Sequence, residues 1–344
     1  MNGSRNVVVV GGGILGASAA WHLARAGAIV TLVEHRPAPG LGVTASSFGW
    51  VGAGAGLPSD DPEAFAMRAK AVTEFSRLER DLGVLPVAAR GALLWSETED
   101  ETAAMMAAHA AAGTRMELLS RSQICAKEPC LASVPPVAAW ARDDFAVEPA
   151  RLAAQLVTAA RARGACVRQG WVDRLETSAG RVTGVLTGGE RLSADVVVLA
   201  NGYAARGLAS GVGVDLPLSE SPAVLVRMNG APGLVLHLLC TEELELRPSL
   251  DGGLTAAADF PQDGEAGLPR LAGQTATAIA GLLGMRAPPP VLSVTAAYRP
   301  MTNASAPVAG FAQGIHGLYA LVAHPGVILA PLLGRLCAEA ISSS

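Results

Sequence analysis

The chain has 344 residues, half of them hydrophobic and only 16% charged, with a net charge of −4. That length suits two closely joined domains around a large core. The charges form no basic stripe, which excludes a surface that tracks nucleic-acid phosphates.

Residues 7–10 are an unbroken β-branched run, as in a strand buried on both faces. Gly11-Gly12-Gly13 ends it. Residues 14–26 then read as an Ala- and Leu-rich helix stopped by Gly27, and residues 29–33 as a second buried strand closing at Glu34. The unit is βαβ, expected to be right-handed. Residues 37–56 read as a loop rich in Gly, Ser and Ala. A helix is predicted over 62–82, capped by Asp60 or Asp61, then a strand over 91–96 and an Ala-rich helix over 97–112. Residues 120–136 read as irregular, and 149–163 as a helix closed by Gly164. Segments 172–177, 181–186 and 190–194, joined at Ser178-Ala179-Gly180 and Gly188-Gly189, predict a β-meander. An apolar strand over 195–200 follows and ends at Asn201-Gly202. Residues 216–258 read as short strands broken by Pro and Gly. A helix over 269–283, strands over 291–298 and 318–323 and a last helix over 327–341 complete the pattern.

The fold class is therefore α/β, α+β overall. A Rossmann-like dinucleotide domain is built from 1–85, 147–215 and 299–344, and an antiparallel-sheet substrate domain from 86–146 and 216–298. A strand is read within the first six residues, so no signal peptide is expected. The longest apolar candidate, 318–333, contains His324 and two prolines, so no membrane span is expected. Cys125, Cys130, Cys166, Cys240 and Cys337 are scattered, which disfavours a metal site or disulfide framework and fits a reducing cytoplasm.

Gly11, Gly13 and Gly16 satisfy G-x-G-x-x-G between a strand and a helix. The first permits the tight turn, the second lets the backbone approach a pyrophosphate, and the third lets helix pack on strand. The N–H groups at the helix start, around Ile14 and Leu15, favour an anion. Glu34 stands 21 residues after Gly13, where a carboxylate accepts ribose hydroxyls and repels a 2′-phosphate. His35 and Arg36 flank the same position. This run indicates a dinucleotide and leaves NAD and FAD both open.

Three further segments carry a family resemblance. Thr44-Ala45-Ser46-Ser47-Phe48-Gly49-Trp50-Val51 follows the first βαβ unit. The meander beginning at Val172 leads into a strand ending Ala200-Asn201-Gly202. Tyr298-Arg299-Pro300-Met301-Thr302, then Pro307 and Gly310, precede His324-Pro325-Gly326-Val327-Ile328-Leu329-Ala330-Pro331. Together with the fingerprint, and in this order, they resemble the D-amino acid oxidase/glycine oxidase/sarcosine oxidase family of flavoproteins over nearly the whole chain. The resemblance implies non-covalent FAD. It lays the 44–51 loop along the flavin and ribityl chain, the Val172 backbone at the adenine and Ala200–Gly202 beside the cofactor. It puts the helix opened by Gly326 against the pyrimidine side of the reduced ring, where helix N–H groups favour negative charge. It makes Arg299 the residue that binds a substrate carboxylate, as a guanidinium fork suits two oxygens; the competing reading is a structural salt bridge. The implied reaction is oxidation of a C–N bond in an amino acid or secondary amine, giving an imine that hydrolyses.

The chain also departs from the family pattern. Ala304 and Ser305 replace its usual Asp and Gly, and Pro325 replaces a common Ser, removing a backbone donor. Tyr298 adjoins Arg299, but strand alternation points the two to opposite faces. His237 reads as either a sheet histidine or a catalytic one. Two rival functions stand beside the main one: a nicotinamide-dependent dehydrogenase, and a non-catalytic FAD-binding subunit of a larger complex. A homo-oligomer is also open.

Overall fold

The computed structural model describes residues 4–302 and 306–344; Ala304 and Ser305, two of the departures above, lie outside the described residues. Asn6–Val10, Ile29–Glu34, Cys166–Gln169, Val196–Leu199 and Leu318–Val322 form a parallel sheet, closed on one edge by antiparallel Val308–Phe311. Its centre is all Val and Leu because both faces are covered. The fingerprint helix Ile14–Arg25 and the late helix Gly326–Ser343 pack on one face. They cross closely: Ser18 Oγ donates to the Ala330 carbonyl at 2.7 Å, and a Cβ on Gly334 would lie 2.3 Å from Ser18 Oγ. The meander Val172–Ser178, Arg181–Thr187 and Glu190–Ser193 covers the other face.

A second, nine-stranded sheet runs Val291–Thr302, Leu218–Met228, Leu254–Ala258, Glu245–Pro248, Leu238–Cys240, Val87–Leu94, Val137–Val147 and Trp50–Val51, with Glu117–Ser120 paired to Val137–Val147. Its far face packs under the helix Leu268–Leu282 through Val224, Val226, Leu246, Ala276 and Ile279. Its near face turns towards the loop at 44–51.

Three expectations change. A helix, Arg121–Lys127, occupies part of the stretch read as irregular, with Gln123 Oε1 accepting from Ser120 N at 2.8 Å. The eleven-residue strand Val137–Val147 was not expected; its Arg142-Asp143-Asp144 triplet looks like a turn in sequence. The helix Gly326–Ser343 is long and apolar enough, by length and composition, to cross a membrane. Its Leu329, Leu333, Cys337 and Ile341 are nonetheless buried in the core of this fold.

Candidate active site

The glycine turn is held by backbone. Gly11 has a φ of +98°, and a Cβ there would sit 2.7 Å from the Asn201 Cα. Gly11 N donates to the Val33 carbonyl and Ala200 N to that of Val10, both within 2.9 Å. A Cβ on Gly16 would fall 1.9 Å from the Gly11 carbonyl oxygen, so helix and turn touch only because both are glycine. Glu34, 7% exposed, accepts from Gly12 N at 2.6 Å and from Arg36 N at 2.8 Å; His35 Nδ1 lies 3.0 Å from its Oε1. Gly170 N donates to the Glu34 carbonyl, which brings the start of the Val172 strand to this same corner.

The 44–51 loop comes next. It begins as the short 3-10 helix Val43–Ser46, and Thr44 Oγ1 accepts from Ile14 N at 3.0 Å. Ser47 Oγ donates back to the Val43 carbonyl. Gly49 takes a φ of +85° where a Cβ would meet the Val147 carbonyl at 2.3 Å. Trp50 and Val51 then pair with Ala146 and Phe145.

Four groups that sequence reasoning missed fix this loop. Arg247, fully buried, donates from Nε to the Phe48 carbonyl at 2.6 Å and from one amino group to Glu148 Oε1 at 2.8 Å. Its other amino group is buried without a hydrogen-bond partner among the described residues. Arg227 donates to the Ala45 carbonyl at 3.0 Å. Asp144 accepts from Trp50 Nε1 at 2.8 Å, Gly54 N at 2.9 Å and Ala53 N at 3.2 Å, tying down the chain beyond the loop. Burial raises the Asp144 carboxyl to about 6, against those three donors. The available signal was alternation: in a strand, Glu245 and Arg247 share one face.

Arg299 faces the same side of the large sheet as these arginines. It stands opposite Ser221; Leu225 stands opposite Ala257, and Arg227 opposite Thr255, itself opposite Arg247. Ser221 and Arg227 lie an even number of residues apart, so all these side chains leave by one face. Arg299 donates to Ser221 Oγ at 2.7 Å. Burial first, then the charges of Arg299 and Arg68, push His324 down to about 4, so its imidazole is neutral at physiological pH. The charge of Arg299 thus reaches His324, which leads into the helix Gly326–Ser343; a Cβ on Gly326 would lie 3.9 Å from Ile14 and Leu15 of the fingerprint helix. No salt bridge to Arg299 forms among the described residues, which disfavours the structural reading.

Two other candidates fall away from this cluster. Tyr298 is 41% exposed and donates to Glu265, on the opposite face from Arg299 as alternation required. His237 Nδ1 bonds Glu128 Oε1 at 2.8 Å and its ring packs edge-on against Trp140, as a satisfied sheet histidine does.

A family model described as FAD-dependent oxidoreductase, DAO, matches residues 6–340. The chain belongs to the DAO family of FAD-dependent oxidoreductases. That membership makes FAD its cofactor and replaces the nicotinamide alternative. Glycine oxidase from Geobacillus kaustophilus shares 21% identity, with a TM-score of 0.84 over 99% of this chain and 96% of that one. Iminodiacetate oxidase from Chelativorans sp. BNC1 shares 22% identity, with a TM-score of 0.85 over 98% and 95%. In sequence, 4-methylaminobutanoate oxidase (formaldehyde-forming) from Paenarthrobacter nicotinovorans is 31% identical over 246 residues, covering 69% of this chain but only 29% of that relative.

The residues present fit FAD. Gly12 and Gly13 leave room that a Cβ would fill, 3.0 Å from Glu34 Oε2 and 3.3 Å from Thr44 Oγ1 respectively. Asn201 Oδ1 is a buried acceptor with no partner among the described residues, directly beside Gly11. An unsatisfied buried acceptor is costly in a bare protein and ordinary where a polar cofactor abuts it.

Proposed function

We propose that this DAO-family chain oxidises a C–N bond of an amino acid or secondary amine. Bound FAD would accept the hydride, and the imine product would hydrolyse in water. The observation that carries the reading is the convergence of Arg299, without a carboxylate partner, on the His324–Gly326 turn that faces the fingerprint helix. FAD supplies the hydride acceptor; the protein's part is to hold the substrate in line with it. Arg299 takes the carboxylate through its fork of donors. Neutral His324 adds no positive charge of its own beside Arg299. Glu34, with His35 and Arg36, holds the adenosine ribose, Val172 the adenine, and the amides of Gly12 to Leu15 the pyrophosphate. Thr44 to Val51 and Ala200 to Gly202 would line the ribityl chain and ring, with the Gly326, Val327 and Ile328 amides supplying donors for negative charge on the reduced ring. The free thiols Cys125, Cys130 and Cys166, all exposed, support a cytoplasmic setting.

The test is a pair of measurements on purified holoenzyme. Anaerobic addition of D- and L-amino acids, glycine, sarcosine and N-methyl amino acids is expected to bleach the flavin with at least one of them. No bleaching across the panel overturns the reading in favour of an electron-transferring subunit. Arg299→Ala is expected to retain flavin and to weaken carboxylate binding by about tenfold to a hundredfold, the scale of a charged hydrogen bond. Loss of the flavin instead makes Arg299 structural.

A further inference from the structure

The face of the large sheet that carries Arg299 also carries a carboxylate within a strand, Glu245. Glu245 stands opposite Ala257, which stands opposite Leu225; Leu225 is four residues from Ser221, the partner of Arg299. An even offset in a regular antiparallel register keeps both side chains on one face. Arg227 and Arg247 leave by that face and bind the carbonyls of Ala45 and Phe48, which establishes that the face looks onto the cofactor loop. Glu245 is only partly accessible, yet its carboxylate forms no hydrogen bond and no salt bridge among the described residues. Burial first, and then Asp259, push its titration upward, while Arg299 pulls it down, so Glu245 and Arg299 sense each other across the face. Cys240, its neighbour in the next strand, is pushed up to about 12 by burial and by Glu245. A half-buried carboxylate left without a donor is costly to the folded protein alone. It is well placed when a ligand brings the donor.

We infer that Glu245 is a specificity-determining residue that receives the cationic nitrogen end of a substrate whose carboxylate lies on Arg299. The site is thereby bipolar: one guanidinium and one carboxylate, set on different strands of one face, select zwitterions over simple carboxylic acids. This rests on the proposed amine-oxidising function and assigns the second half of its substrate recognition.

The experiment uses isosteric ligand pairs that cannot be oxidised at the substituted carbon. 2-Aminoisobutyrate and pivalate differ only by an ammonium in place of a methyl group. Glycine betaine and 3,3-dimethylbutanoate differ only by a quaternary nitrogen in place of a carbon, at the same distance from the carboxylate but with no N–H to donate. Each is titrated into the FAD-loaded protein and followed by perturbation of the flavin spectrum. In the unmodified protein the cationic member of at least one pair is expected to bind about tenfold or more tightly than its neutral twin. In Glu245→Gln, with flavin retained, that preference collapses towards unity while the neutral ligand's affinity holds. A preference that survives Glu245→Gln, or no preference in the unmodified protein, overturns the role of Glu245 and leaves the function standing. If flavin is bleached by no amine and no member of either pair binds, the proposed function itself fails, and the inference with it.

Discussion

The glycine corner and the charged face of the large sheet are built by opposite means. The corner is made of absences: Gly11, Gly12, Gly13 and Gly16 remove side chains so that backbone amides and Glu34 surround a small volume. The face is made of long charged side chains, Arg227, Arg247, Arg299 and Glu245, brought together from strands far apart in sequence. The corner tolerates almost no added atom. The face depends on its charges, the three arginines each being held by carbonyl, hydroxyl or carboxylate oxygens while Glu245 is left without a donor.

That contrast is broken most severely at Gly16. The Gly16→Ala Cβ would fall 1.9 Å from the Gly11 carbonyl oxygen, so helix and turn must part. The expected result is a protein that loses its flavin outright, seen as loss of the visible flavin spectrum; a yellow Gly16→Ala protein would show that the turn yields more than close packing allows. Next in size is Arg247→Met. It leaves Glu148 without its 2.8 Å partner in a buried site, with Arg227 at 3.9 Å as the remaining cation. Removing one member of a buried pair costs about 3–5 kcal/mol, to be read from denaturant unfolding of the variant. Adding Glu148→Gln is expected to recover part of that cost, which a purely steric role for Arg247 would not allow.

The third effect depends on pH. Burial holds the Asp144 carboxyl at about 6, above the usual carboxylate value near 4, so the native chain holds that proton more tightly than the unfolded chain. The stability this contributes is fully present below about pH 4 and is lost as pH rises to about 6, by roughly 2–3 kcal/mol in total. Asp144→Asn is expected to flatten that slope. Thermal melts of both proteins from pH 4 to 7 check it, and identical slopes would place the Asp144 titration lower.

Much of the cofactor corner was legible in sequence because its determinants are local. A strand, three glycines, a helix and an acidic strand end fall within residues 7–34, and each constrains its immediate neighbours. The rest was hidden for physical reasons. Val137–Val147 was missed because Arg142 and Asp143 turn to solvent while Asp144 turns inward to Trp50, a split invisible without the partner strands. Arg121–Lys127 was missed because seven residues hold too few turns for a clear period. Glu245 and Arg247 sit in a four-residue strand, Glu245–Pro248, between turn-like stretches. Their common direction follows from alternation, but their company with Arg299 depends on a register set by three other strand pairings. Local chemistry announced the dinucleotide; only topology assembled the charged face.

The strand Leu318–Val322 lies against Val196–Leu199, and the helix that follows it lies against the fingerprint helix. A ribosome that has delivered the first three hundred residues has therefore made every glycine of the corner but not the helix that packs against the fingerprint helix. Until residues 318 to 343 emerge, one edge of the central sheet and the apolar flank of the first helix stay open to water. On the proposed reading, the cofactor site is complete only once this last segment has folded against the first helix.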